Sequence, residues 1–377
     1  MNFVNESGLP AAWTMGFEPD GRELLVVIMK ATYTIPEPGR TPVLSDDQVG
    51  LTEADEFTGE PGLSAPLRET DYSHRKPRCD VVLNGTAYAP FNQPVERVRV
   101  SLSVGSLLKS FYVFGDRVWH GDMFSVYPSR PKPFLAQQIS YDRAFGGVDT
   151  DADRPEKVET YRENPVGVGF RPISKKQALI GQLLPNTAES PEPVDNPTGS
   201  FRPMSFGHVA RNFYPRYTLA GTYDQHWLEN RAPFWPDDFT YAFFQSTSAD
   251  QQIPYLVGNE PVVLENLTPE GITYFSIPAH SMPVTVIYHR QQDRHLTGVC
   301  DTLLIEPDLR RFSLTWRLSL PMRRNCFEVR QLIVGERPYS WHSARRAQRL
   351  GKVYYRNLAE LIRSKQEIGS TAEDSEP

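Results

Sequence analysis

Cysteine is scarce in this 377-residue chain: only Cys79, Cys300 and Cys326 occur, and no two of them have Cys-x-x-Cys spacing. A sparse, odd number of cysteines argues against a disulfide framework and favours a reducing compartment. No apolar run approaches the roughly 18–20 residues that a membrane helix needs. The N-terminus also lacks the basic segment and apolar run of a signal peptide. We therefore expect a cytoplasmic protein without a membrane contact.

Helical patterns are also scarce, whereas turn residues are abundant. The 33 prolines and 25 glycines are scattered along the chain, which suits short strands joined by turns. Strand patterns predict hairpins over residues 110–121, 261–278 and 301–320, with a central stretch, 125–240, that has little periodicity. This predicts a mainly β fold of antiparallel, sandwich-like sheets with long central loops and a C-terminal helix.

The same patterns divide the chain into three parts. Residues 1–320 form the β domain, as one unit or as two β lobes joined through 125–240. Residues 321–365 form a basic extension with a helix, and the small, polar, acidic residues 366–377 are expected to be disordered.

Charge is unevenly distributed along the chain, whose net charge is −6. Residues 310–365 carry 14 Lys or Arg and three acidic residues, a local balance of +11. The long helical pattern, 343–365 with Ser343 as its cap, places basic residues three and four positions apart. It predicts a docking face for an acidic partner, formed by Arg345, Arg346, Arg349, Lys352 and Arg356. The alternative is an amphipathic helix packed on the body. Nucleic-acid binding is disfavoured because the whole chain is acidic.

Residues 141–170 combine two glycine-rich turns with an acidic run. A dinucleotide fingerprint requires a third glycine where Pro172 stands. A calcium loop requires glycine and glutamate where Arg154 and Thr160 stand. We therefore expect no cofactor and no metal, and interpret the stretch as a rigid corner in which glycines allow positive φ and close packing. In that corner, Arg143 would stack on rings or pair with Asp142 or Asp149. The corner residues are Tyr141, Asp142, Arg143, Phe145, Gly146, Gly147, Asn164, Pro165, Gly167 and Gly169.

An aromatic segment at 221–239 supplies a second candidate contact surface. Arg231, Phe234 and Trp235 are residue types that anchor protein interfaces. The alternative is that its aromatic rings, Trp227 above all, belong to the core.

A hydrolase is the alternative to a binding protein. It would use Asp142, Asp149 or Asp237 in an aromatic cleft, as carbohydrate-active enzymes do. With 46 acidic residues, however, chance pairs of carboxylates are expected, and no Gly-x-Ser-x-Gly elbow occurs.

Several motifs in fixed order resemble the DUF2169 family. "YDRAFGG" and "ENPVGVGF" carry most of the resemblance, and further matching blocks lie at 30–35, 76–88, 115–121, 184–186, 221–239, 250–271 and 301–308. The resemblance implies a non-catalytic, cytosolic adaptor or effector chaperone of the bacterial type VI secretion system. Its implied partners are a secreted effector and the VgrG spike or its PAAR tip protein.

Overall fold

A computed structural model describes residues 1–122, 124–151, 153–355 and 358–363. The predicted mainly β class is confirmed, and the largest element is a six-stranded sheet. Its strands pair antiparallel except for one central parallel pair. In spatial order they are Gln252–Ile253, Cys79–Leu83, Val299–Glu306, Arg311–Pro321, Glu23–Thr34 and Ala11–Phe17.

Two further sheets and five two-stranded ribbons complete the β structure of the described residues. The five-stranded sheet has the order Thr187–Ala188, Leu107–Phe114, Arg97–Val104, Pro261–Glu265 and Ile272–Ser276. The four-stranded sheet has the order Asn2–Asn5, Val329–Val334, Pro283–Tyr288 and Arg294–Thr297. The ribbons pair Trp119–Gly121 with Val126–Pro128, Gly85–Tyr88 with Ala136–Ile139, Phe145–Gly146 with Val168–Gly169, Val148–Thr150 with Val158–Thr160, and Glu56–Phe57 with Pro66–Arg68.

A continuous apolar core connects the three larger sheets. Leu314 of the six-stranded sheet, Val100 of the five-stranded sheet and Val286 of the four-stranded sheet belong to one buried cluster. At the contact between two sheets, the rings of Phe275 and Phe312 stack with their centroids 4.9 Å apart. The alternating apolar positions of these strands therefore point into a shared interior, as in a sandwich.

The opposite face of the six-stranded sheet is covered by long loops and carries charge. Lys30 and Arg317 alternate with apolar core residues along their strands, so their side chains lie on the other face. Lys30 pairs with Asp71 at 2.8 Å, and Arg317 pairs with Asp301 at 2.7 Å. The guanidinium of Arg317 also donates to the carbonyl oxygen of Ser73. A loop lacking regular structure is thus fixed to the sheet by a buried ion pair, Lys30 with Asp71, and by hydrogen bonds from Arg317.

Helices are few and short in the described residues. The α-helices are α1, Gln225–Asn230, and α2, Tyr339–Arg349, and a further helical stretch covers 358–363. The 3-10 turns are Pro90–Asn92, Tyr141–Arg143, Lys176–Leu179, Arg216–Ala220, Tyr241–Phe244, Ala249–Gln251, Pro307–Leu309 and Cys326–Glu328.

The predicted C-terminal helix, 343–365, is wrong in its limits. Helix α2 starts four residues earlier, so Ser343 lies inside it. It ends before Gly351, whose φ of 66° is left-handed. The amide of Gly351 donates to the carbonyl of Gln348, and that of Lys352 donates to the carbonyl of Ala347, which closes a Schellman motif. The glycine thus terminates the helix, and a separate helical stretch covers 358–363. The tail predicted as disordered, 366–377, lies outside the described residues.

Candidate functional site

The two glycine-rich turns pack against each other and form a corner, residues 141–147 and 164–169, that we call the signature corner. Phe145–Gly146 pairs in parallel with Val168–Gly169. Between them, the side-chain amide of buried Asn164 donates to the carbonyl oxygens of Tyr141, at 2.9 Å, and Phe145, at 3.1 Å. The backbone carbonyl of Asn164 also accepts the amide of Gly167, so that Pro165 occupies the second position of a turn.

None of the four glycines of the corner has room for a side chain. A Cβ on Gly146 would lie 2.1 Å from the carbonyl oxygen of Asn164, and one on Gly167 would lie 2.6 Å from that of Ala144. Gly169 has a φ of 96° and would press a Cβ against Pro185 at 2.7 Å. The predicted need for glycine is therefore explained by close backbone contact, and at Gly146 and Gly169 also by positive φ.

Arg143 binds a different partner from the ones predicted. Its guanidinium contacts the carboxylate of Asp116 at 2.5 Å, whereas neither Asp142 nor Asp149 pairs with it. The side-chain amide of Asn186 donates to the same carboxylate at 3.1 Å. The motifs at 115–121 and 184–186 therefore meet the signature corner in one hydrogen-bonded cluster.

The three carboxylates of the hydrolase alternative have separate structural partners. Asp142 accepts the amide of Ala65 at 2.8 Å and the hydroxyl of Thr58 at 2.7 Å. Buried Asp149 accepts the amides of Ile173 and Ser174 at 2.8 and 2.9 Å. Asp237 is exposed and pairs with Arg231 at 2.9 Å. Asp142 and Asp149 hold loops in place, and the structure brings no two of the three to a common contact.

Buried Asp80, Ser246 and His208 have the residue types of a catalytic triad but not its arrangement. Ser246 Oγ lies 2.9 Å from His208 Nδ1 and donates to Asp80 at 3.1 Å. In a hydrolytic triad the histidine must stand between serine and carboxylate, whereas here the serine stands in the middle. All three side chains are buried. Sequence reasoning missed this cluster because its members are 166 residues apart at the extremes.

Ion pairs set the protonation of this buried region. Burial alone would raise the pKa of Asp80, but the charge and hydrogen bond of Lys76, 2.8 Å away, outweigh it and lower the pKa. Burial also opposes ionisation of Glu69, and the charge of Arg216 likewise lowers its pKa overall. Both carboxylates are therefore ionised and matched by a cation, as expected of structural ion pairs.

His208 is expected to make the protein sensitive to mild acid. Burial lowers the pKa of its imidazole to about 4. Between pH 6.5 and 4 the unfolded chain binds a proton that the folded chain excludes, so stability is complete above pH 6.5 and falls as the pH drops. The loss from this residue is about 3 kcal/mol. Chemical unfolding of His208→Gln across this range should show a smaller loss than the unsubstituted protein.

Exposed His120 supplies the matched control. His120→Gln should not reproduce the effect of His208→Gln, because it replaces no buried imidazole. Half-buried His74 also has a pKa that partial burial lowers, so part of the acid sensitivity should persist in His208→Gln. Identical profiles for His208→Gln and the unsubstituted protein would contradict the prediction.

Two cavities flank Tyr141 in the signature corner. One, of about 410 Å³, is lined by polar groups that include Arg68, Glu306 and Asp308. These charges are already engaged, since Arg68 pairs with Glu306 and Asp308 accepts the hydroxyl of Thr86 at 2.7 Å. The other, of about 370 Å³, has a largely apolar wall that includes Leu219. The described residues contain no group of three His, Cys, Asp or Glu side chains that could hold a metal ion.

The aromatic segment predicted as a partner surface packs on the N-terminal part of this chain. Phe234 packs edge-to-face on Phe17, with ring centroids 5.4 Å apart. Trp235 Nε1 donates to the carbonyl oxygen of Phe17 at 2.9 Å. Arg231 donates to the carbonyl of Pro19 at 2.6 Å. Phe234 and Trp235 are half-buried, as is Trp227. Each of these residues thus has an intramolecular contact as well as an exposed part.

The predicted basic helix face is only partly described. Arg345 pairs with Asp293 at 3.4 Å, while Arg346 and Lys352 are exposed. Only the backbone of Arg349 is described, and Arg356 lies outside the described residues. Because α2 ends at Arg349, Lys352 does not continue the helical face.

Phe91 is a surface feature that the sequence analysis missed. Its side chain is 94% exposed. Its backbone has a φ of 57° and a ψ of 20°, a left-handed conformation that is rare and strained for a bulky aromatic residue. The one signal for this position in the sequence is the proline and asparagine of the Pro90–Asn92 turn, which lies between two strands. The strained backbone conformation therefore occurs at a position where a large apolar ring faces solvent, and it raises the energy of the folded state.

The fold and these contacts define a β protein whose characteristic residues build a rigid frame. A family model, described as an uncharacterized protein conserved in bacteria, DUF2169, matches residues 20–317. The chain belongs to this family. No curated protein and no solved structure shows a significant match. None of the described helices is long and apolar enough to cross a membrane.

Proposed function

We propose that the protein is a non-catalytic adaptor of the type VI secretion system in the bacterial cytoplasm. It binds a secreted effector and helps load it onto the VgrG spike or its PAAR tip. The assignment to this secretion system rests on the motif resemblance. The binding role rests on one observation, the exposed and strained Phe91. An aromatic ring held in solvent at a conformational cost gains more by entering a pocket on a partner than a relaxed surface residue does.

The arrangement of the carboxylates favours binding over hydrolysis. Asp142 and Asp149 accept backbone amides from neighbouring loops, so their carboxylates hold those loops in place. The hydrolase alternative predicts turnover that disappears in Asp142→Ala while the fold survives. The adaptor proposal expects that variant to have a lower melting temperature, because the contact with Ala65 is lost.

Co-expression with the effector encoded beside this gene tests the proposal. The full chain should copurify with the effector, and Phe91→Asn should weaken the complex by roughly tenfold or more, in the range of an interface anchor. Asparagine tolerates the left-handed conformation, so the melting temperature should stay the same or rise.

Phe124 provides the matched control, since its side chain is 93% exposed and its φ is not among the positive values. Phe124→Asn should leave the affinity within about twofold, as for a near-neutral contact. Failure of the full chain to bind the effector would refute the adaptor role. Equal effects of the two substitutions would refute the assignment to Phe91.

A further inference from the structure

A basic groove lies at one end of the four-stranded sheet. His289, Arg290 and Gln291 form one wall, and residues 323–325 with Phe327 and Glu328 form the other, around a volume of about 670 Å³. The amide of His289 donates to the carbonyl of Glu328 at 3.0 Å, and the side chain of Gln291 donates to its carboxylate at 2.8 Å. These bonds fix the two walls relative to each other.

Three arginines of this groove are available for a partner. Arg290, Arg323 and Arg324 are exposed, and none of them has an acidic partner within ion-pair distance in the described parts of the chain. By contrast, Arg311 and Arg317, on the strand Arg311–Pro321 that precedes the groove, are both paired with carboxylates. Among the described residues that line the groove, Glu328 is the one acidic residue, and its carboxylate accepts the side chain of Gln291 and the backbone amide of Arg324.

An apolar contact point lies among these charges. The side chain of Phe327 is 78% exposed. Its position is set by the 3-10 turn Cys326–Glu328, in which the side chain of Asn325 accepts the amide of Phe327 at 3.2 Å. The groove therefore offers three guanidinium groups together with an aromatic ring, a combination enriched in protein interfaces.

We propose that this groove binds an acidic polypeptide segment of a partner. Carboxylates of the segment pair with Arg290, Arg323 and Arg324, and an apolar side chain covers Phe327. This inference goes beyond the proposed adaptor role, because it concerns the chemistry of the groove and not the identity of the partner.

Charge distribution favours a short peptide over a nucleic acid. Residues 1–309 carry a net charge of −13, whereas the basic excess is confined to 310–365. The net negative charge of the rest of the chain therefore disfavours a long polyanion. A short acidic segment meets only the basic part, where unlike charges accelerate association and fix the orientation of the segment.

The test uses the full chain and a fluorescein-labelled peptide of eight glutamates and one terminal leucine. Fluorescence anisotropy at low ionic strength should show binding that weakens with added salt. The double substitution Arg323→Glu and Arg324→Glu should reduce the affinity at least about tenfold and make the salt dependence shallower. Arg130→Glu with Lys132→Glu reverses two exposed charges outside the groove and should change the affinity by less than about twofold.

Four results would each overturn the proposal. The first is an unchanged peptide affinity in the Arg323, Arg324 variant. The second is tighter binding of a single-stranded oligothymidine through the same arginines. The third is a severalfold gain in peptide affinity when Glu367, Glu373, Asp374 and Glu376 of the full chain are neutralised, which would assign the groove to the chain's own tail. The fourth is a dimer that the arginine substitutions dissociate in light scattering, which would assign it to a second copy.

Discussion

Replacing Gly147 by valine is expected to destabilise the protein by about 3 to 5 kcal/mol, the sum of backbone strain and overpacking. Gly147 has a φ of 113°, which a β-branched residue strongly disfavours. A Cβ there would lie 2.6 Å from the carbonyl oxygen of Gly167, a backbone atom that cannot move without opening the signature corner. Urea unfolding followed by circular dichroism would measure the loss.

Substitutions at two other glycines distinguish backbone strain from overpacking as causes of this loss. Gly39 has a φ of 80° but no atom within 4 Å of a built Cβ, so Gly39→Val reports backbone strain alone, about 1 to 3 kcal/mol. Gly50 has an ordinary φ and open space, and Gly50→Ala should be close to neutral. If Gly147→Val unfolds at the same urea concentration as the unsubstituted protein, the signature corner is not the rigid element described above.

Asp80→Ala is expected to cost about 3 to 5 kcal/mol, because it leaves the ammonium of Lys76 buried without its ion-pair partner. Asp80 is fully buried and also accepts bonds from Gln245 Nε2 and the hydroxyl of Thr247, both at 2.7 Å, and from the amide of Ser246 at 2.9 Å. One side chain thus connects the six-stranded sheet to the loop 245–248. Its removal should lower the free energy of unfolding and raise the hydrogen exchange of that loop.

An exposed ion pair supplies the comparison. Lys175 and Asp153 are 2.7 Å apart, but both side chains are more than 70% exposed. Asp153→Ala should therefore leave the urea midpoint almost unchanged, because solvent screens an exposed ion pair. Adding Lys76→Met to Asp80→Ala should recover part of the loss by removing the unpaired charge. A double variant no more stable than Asp80→Ala would show that the lost hydrogen bonds dominate.

The local parts of the fold were predictable from the sequence. The hairpins over 261–278 and 301–320 are confirmed, because their alternating residues and turn residues lie within one short segment. The hairpin predicted over 110–121 is wrong. Leu107–Phe114 pairs with Arg97–Val104, and Trp119–Gly121 pairs with Val126–Pro128. Gly115 serves close packing instead, since a Cβ there would lie 1.8 Å from the carbonyl oxygen of Lys132.

The sequence by itself determined the β class and the need for glycine in the signature corner, since strand periodicity and backbone freedom are properties of neighbouring residues. Only the tertiary structure decided that Arg143 pairs with Asp116, that Asp80 joins a strand to a distant loop, and that Phe91 faces solvent. A charged side chain has many candidate partners of opposite sign along a chain. Burial and distance select among them only after the sheets have formed.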